Sequence, residues 1–165
     1  MPSGDGVLLP RQPLDPLLRL AQIITLQTFY YLVFGMLLFI IDWLVLGRGE
    51  QAQSAVARLF TPSRCGVSDL PAVFCFGSAL TAAVAVALFL PRVVERAREC
   101  LDFCGTLFGL HALFCWAASG IPRSLAWWLQ LLACTALSTV ISELLCVKRE
   151  MRDILIVHAA PENAP

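Results

Sequence analysis

Asparagine occurs once, as Asn163 ahead of Ala164 and Pro165, so the chain carries no acceptor for N-linked glycosylation. No two cysteines stand as C-x-x-C, which removes thiol-disulfide oxidoreductase chemistry, and neither G-x-S-x-G nor H-E-x-x-H is present to support hydrolysis. Twelve basic and twelve acidic residues give a formal net charge of zero, so no electrostatic case for nucleic-acid binding arises. No glycine-rich phosphate loop lies between a strand and a helix either. These absences point away from an enzyme, a cofactor or a bound metal. Charged residues are scarce at 15%, whereas 58% hydrophobic residues and a mean hydropathy of +0.75 exceed what one soluble core of 165 residues needs.

Four nearly charge-free apolar stretches fill most of the chain: Leu20 to Ile41, Leu70 to Leu90, Phe103 to Ile121, and Ser124 to about Val147. Each is long enough for the roughly 30 Å hydrocarbon core, which predicts an all-α bundle of four transmembrane helices within a membrane domain of residues 15–156. Residues 1–14 and 157–165 are rich in proline, glycine or polar side chains and are expected to be a mobile arm and tail. The arm is broken by Pro2, Pro10 and Pro13, and the first apolar run is longer than the core of a signal peptide, so it reads as an uncleaved signal anchor. Asp15-Pro16 supplies a helix start, carboxylate as cap and proline in the first turn.

Orientation follows from the basic residues. Arg11, Arg19, Arg92, Arg96, Arg98, Lys148, Arg149 and Arg152 lie on one side of the predicted bundle, and Arg48, Arg58, Arg64 and Arg123 on the other. Both termini are therefore expected in the cytoplasm, with 47–69 as a long lumenal loop. Within it, Gln51 to Phe60 is a candidate surface helix, and Ser119-Gly120-Ile121-Pro122-Arg123 is a tight helical hairpin. Trp43, Trp127 and Trp128 fall where interfacial indoles belong. Of the seven cysteines only Cys65 lies in a predicted lumenal loop, so no disulfide framework is expected.

For packing, Ala79, Ala83 and Ala87 recur every four residues on the second span, and Gly105 and Gly109 give the third a G-x-x-x-G spacing. Such ridges let backbones approach, although a lone G-x-x-x-G also arises by chance in apolar helices. The residues that are costly in lipid are Gln22, Gln27, Asp42, His111, Gln130 and Glu143. Glu143 lies about one turn inside the end of the last span and needs a partner. Arg19, Arg96 and Arg98 are the available cations, with Asp102 as a competing anion, so an interhelical polar cluster is expected there. It reads either as a structural ion pair or as a docking or proton-linked site. Cys100, Cys104, His111 and Cys115 share one face of the third span, but the stripe is too long to gather around one ion, and packing is the simpler account. Cys146, beside Lys148 and Arg149, is placed where palmitoylation is chemically feasible, with an unmodified thiol as the alternative.

In order along the chain stand Asp15-Pro16-Leu17-Leu18, then Gln22, Gln27, Tyr30, Tyr31, Gly35 and Asp42. Next come Cys100-Leu101-Asp102-Phe103 with Thr106, His111 and Trp116, and then Pro122, Ser124, Trp127-Trp128-Leu129, Cys134, Glu143, Leu145-Cys146 and Glu150. This succession resembles the Sys family of Golgi multi-pass proteins over nearly the whole chain. The resemblance implies a four-span protein of the Golgi and trans-Golgi network acting as membrane receptor for an N-terminally acetylated Arf-like small GTPase, in support of vesicle-mediated protein transport. The segments open to such a partner are the arm, the Pro91 to Asp102 loop and the tail, with Arg96, Arg98, Asp102, Glu143, Arg149 and Glu150 as the expected contact residues and membrane lipids alongside. The competing reading is a small transporter or lipid-handling protein using Asp42, His111 and Glu143, and a third is a purely structural interaction protein of the bilayer.

Overall fold

The computed structural model describes residues 16–45, 59–61, 70–94 and 97–159. The predicted arm with its Asp15 cap, most of the long loop with Cys65, Arg96, and the tail after Ala159 lie outside the described residues. Within them the fold is all-helical: α1 is Pro16–Val45, α2 Leu70–Val93, α3 Cys100–Ser119 and α4 Leu125–Ala159, with one turn of 3-10 helix, Ala97–Glu99, leading into α3. All four α-helices are long and apolar enough to cross a membrane. The helices overrun the apolar stretches most at α4, whose 35 residues span about 52 Å at about 1.5 Å per residue. The last span thus continues as one helix well past Val147, to Ala159. The helices alternate in direction, so α1 begins and α4 ends at one face of the bundle, the tail end, and the long loop and the α3–α4 hairpin lie at the other, the loop end.

Packing in lipid rests on close backbone approach rather than on expulsion of apolar surface from water, because lipid tails are as apolar as leucine. The small residues decide which helices meet. Ala79, Ala83 and Ala87 on α2 are fully buried, and Cys134, Ser138, Ser142 and Cys146 form a matching every-fourth-residue stripe on α4, also buried. The two stripes face one another, and Ser138 Oγ donates across the interface to the Ala83 carbonyl at 3.0 Å. Gly105 and Gly109 do not take part: they lie on the exposed face of α3, and a Cβ added to either would meet nothing within 4 Å. The expected contact between the alanine and glycine ridges is therefore corrected. The buried face of α3 is carried by Phe103, Cys104, Leu107, Phe108, His111 and Cys115, whose bulk turns the glycines outward.

α1 packs through Leu26, Tyr30, Phe34 and Leu38. Part of the long loop returns to this core. Leu59 is buried, the Cys115 thiol faces its carbonyl at 3.8 Å, and Ser119 Oγ donates to the Phe60 carbonyl at 2.7 Å. At the hairpin, Gly120 has φ 80° and ψ −176°, its N–H bonds the Trp116 carbonyl at 2.9 Å, and Trp128 Nε1 donates to Pro122 O at 3.1 Å. That backbone region is open essentially to glycine alone. Gly120→Ala is expected to lower stability by about 1–2 kcal/mol, read as an earlier unfolding midpoint of the detergent-solubilised chain; an unchanged midpoint would contradict the strain.

One cysteine departs from expectation. Cys75, about one and a half turns into α2 from the loop end, is disulfide-bonded, while Cys100, Cys104, Cys115, Cys134 and Cys146 are free. Among the described residues this is one bonded cysteine against five free ones, not a framework. The hydropathy pattern placed Cys75 inside a span; its nearness to the helix end is what makes it reachable from a loop.

Candidate functional site

The tail end is organised by the short link between α2 and α3. Pro91 lies in the last turn of α2, where its ring nitrogen has no N–H for the Ala87 carbonyl, and the helix stops two residues later. The carbonyls of a helix's last turn lack intrahelical partners; here Leu90 O accepts from the Val94 N–H at 2.8 Å, and other helices supply donors to Pro91 and Val93. Gln22 Nε2 of α1 donates to the Val93 carbonyl at 2.8 Å, and Arg149 Nη1 of α4 donates to the Pro91 carbonyl at 2.7 Å. On the far side of the link, the Ala97 N–H donates to Glu150 Oε1 at 3.1 Å, and Arg19 Nη2 of α1 pairs with Glu99 Oε1 at 2.9 Å. Side chains from α1 and α4 therefore clasp both ends of one link, and the direction of α3 depends on residues at the start and finish of the membrane domain.

This arrangement redistributes the residues expected to meet a partner. Arg149 and Glu150 are engaged in the clasp, where they shape the surface rather than project from it. The cation expected near Glu143 goes elsewhere, since Arg19 is paired with Glu99. Glu143 is half-buried, between one and two turns before Lys148 on α4, and forms no hydrogen bond or ion pair among the described residues, so the polar cluster at this end is built without it. Arg98 and Asp102 are exposed, as are Arg92, Lys148 and Arg152, and among the described residues none of these five charges is paired. Arg96 lies outside the described residues. The clasp partners are backbone carbonyls and one N–H, which hydropathy does not show; Pro91 at the end of an apolar run was the available signal.

Beneath the clasp, Cys100 and Cys146 meet at 3.4 Å between sulfurs, both buried, with the Cys146 thiol 4.0 Å from the Val94 carbonyl. The reading of Cys146 as a lipidation site is corrected by this geometry. Its thiol is 2% exposed and faces the bundle, out of reach of an acyl donor at the interface. Cys104 approaches Ser142 at 4.0 Å in the same interface.

Midway through the bundle, His111 Nδ1 lies 3.2 Å from the Tyr31 hydroxyl and Nε2 3.7 Å from the Cys115 thiol, with the Tyr30 and Phe34 rings packed on it. His111 and Gln130 line a cavity of about 10 Å³ with Tyr30, Phe108, Trp127 and Cys134. That is room for one water. Gln130 Oε1 is buried there without a hydrogen-bond partner among the described residues. Trp127 is buried and Trp128 exposed, so only the second of this pair is placed as an interfacial anchor. Asp42 is buried three residues from the loop end of α1 and lines no part of this cavity. Among the described residues no group of three or more histidine, cysteine or acidic side chains is disposed to hold a metal ion.

Comparison with known proteins gives one family. The family model described as SYS1, integral membrane protein S linking to the trans Golgi network, matches residues 10–156. A protein named "Protein SYS1 homolog" from Nematostella vectensis is 33% identical over 147 residues, covering 86% of this chain and 87% of that protein. A second of that name, from Dictyostelium discoideum, is 25% identical over 140 residues, covering 85% of this chain but 58% of its own length. No solved structure matches.

Proposed function

Since this chain belongs to the SYS1 family of integral membrane proteins linked to the trans-Golgi network, we propose that it is a Golgi membrane receptor whose tail end faces the cytoplasm and docks an N-terminally acetylated Arf-like small GTPase. Recruitment of that GTPase then serves vesicle-mediated protein transport. The observation that carries this reading is the clasp: Arg19, Gln22, Arg149 and Glu150 hold the last turn of α2 and the 3-10 turn before α3, giving those parts of the tail end a fixed surface. A pre-ordered surface binds without the cost of ordering it on contact. Orientation has two independent supports. Eight of the twelve basic residues belong to the tail end, and the disulfide at Cys75 belongs to the loop end, where the oxidising lumen of the secretory pathway would maintain it.

On this reading Arg98, Asp102 and Glu143 are the contact residues. The first two are exposed, and the third is a carboxylate without a partner among the described residues, set below the rim. Capture of a modified N-terminus needs an apolar slot with polar groups at its edge. The transporter reading has less support, because the cavity at His111 holds about one water and reaches neither Asp42 nor Glu143.

The test is capture of endogenous Arf-like GTPases from cells expressing this chain or Glu143→Ala, with and without the acetyltransferase that modifies the GTPase. Capture should vanish without acetylation and fall about tenfold in the variant, the loss of one hydrogen bond to a charged group. Capture indifferent to acetylation, in cells where the chain reaches the Golgi, would sink the receptor reading.

A further inference from the structure

On the outer face of the bundle, α1 and α2 enclose an open groove of about 350 Å³, lined by Ile24, Thr25, Thr28, Phe29, Leu32 and Phe89. Its size is that of a small-molecule site, roughly 300–1,000 Å³. Phe29 and Phe89 stack at 4.4 Å between ring centroids, with 20° between planes, and tie the two helices together at the groove. The only polar groups lining it are the two threonine hydroxyls. Each donates to its own helix, Thr25 Oγ1 to the Ala21 carbonyl and Thr28 Oγ1 to the Ile24 carbonyl, both at 2.8 Å. The groove therefore suits hydrocarbon rather than a polar ligand.

Its surroundings select the kind of hydrocarbon. Arg92 follows Phe89 by three residues, so the two share a face of α2, and Arg92 stands about 4.5 Å nearer the tail end at about 1.5 Å of rise per residue. It is exposed and unpaired among the described residues. Its long side chain can lie along the helix and hold the guanidinium at the headgroup level. The groove lies about two to four turns in from the start of α1, the depth at which an acyl chain continues below its own headgroup.

We propose that this groove is a specific lipid site, holding one acyl chain of an anionic glycerophospholipid with its phosphate on Arg92. The site is separate in place from the surface at the tail end. Occupancy would brace α1 against α2 just beyond the turns that carry Arg19 and Gln22, and so tie the clasp to the composition of the surrounding leaflet.

The experiment is native mass spectrometry of the full chain, purified in detergent and titrated with phosphatidylserine or phosphatidylcholine of identical acyl chains. Wild type should retain phosphatidylserine about fivefold better, the factor that one basic residue at an anionic surface is worth. Arg92→Gln should retain both lipids equally, and Thr28→Trp, which fills the groove, should retain neither beyond the level of a non-specific adduct. Ile24→Trp provides a second filled groove should Thr28→Trp unfold, as judged by its thermal midpoint. An undiminished preference in Arg92→Gln, equal retention of both lipids by wild type, or wild-type retention in a folded filled-groove variant would each overturn the site.

Discussion

Ala83→Leu is expected to destabilise the bundle by about 3 kcal/mol, while Gly109→Leu, a larger change in side-chain volume, leaves stability within about 1 kcal/mol of wild type. The first substitution inserts a branched side chain where the backbones of α2 and α4 meet, beside the Ser138 hydroxyl that bonds the Ala83 carbonyl. Overpacking of this kind costs about 1–3 kcal/mol, and loss of an interhelical hydrogen bond in a membrane protein adds about 0.6 kcal/mol. The second substitution falls on the exposed face of α3, where a Cβ meets nothing, and a leucine there gains helix propensity of up to about 1 kcal/mol over glycine. Denaturation of the two variants in mixed detergent micelles separates the outcomes. A larger loss from Gly109→Leu than from Ala83→Leu would show that the glycine ridge is the packed one.

That contrast marks how far the sequence could be read. Four apolar runs fixed the number of helices and their alternation, because length and hydropathy answer to a single requirement, the thickness of the bilayer. The alanine ridge was visible in the same way. Its partner was not, because cysteine and serine at 134, 138, 142 and 146 look like scattered polar residues until they are recognised as small ones. Gly105 and Gly109 drew attention through their spacing, yet spacing does not say which face a helix buries; Phe103, Leu107, Phe108 and His111 decided that. Among the candidate site residues, Glu143 was singled out for its cost in lipid, and the pairing expected for it went to Glu99 instead, which lies on the 3-10 turn before α3. Arg149 and Glu150 looked like free surface charges because their partners are main-chain groups around Pro91, and side-chain identity carries no record of those.

The second large effect concerns the clasp. The double variant Arg149→Ala, Glu150→Ala should lower GTPase capture about tenfold while leaving the four spans inserted. It removes both ties that α4 makes to the link, one to the Pro91 carbonyl and one to the Ala97 N–H. Both residues are exposed, so each tie is worth only about 1 kcal/mol after screening by water, and most of the expected loss comes from disorder in a surface that must then be ordered on binding. Protease sensitivity confined to the 91–99 segment, with an otherwise intact membrane domain, is the accompanying sign. A charge exchange, Arg19→Glu with Glu99→Arg, should recover part of the capture lost in Arg19→Glu alone, because the pair at 2.9 Å is one of the two ties that α1 makes to the same link. If the double variant captured the GTPase as well as wild type, the link would not be part of the docking surface.

The receptor reading meets its most direct test in proteoliposomes containing this chain alone as the membrane component, to which purified Arf-like GTPase is added in N-acetylated or unmodified form. Flotation would measure the bound fraction on vesicles whose exposed face is established by protease accessibility of the chain termini. The account predicts binding of the acetylated form at least tenfold above the unmodified form, and only to vesicles that present the tail end outward. Equal binding of the two forms, or binding to vesicles that present the loop end, would contradict it.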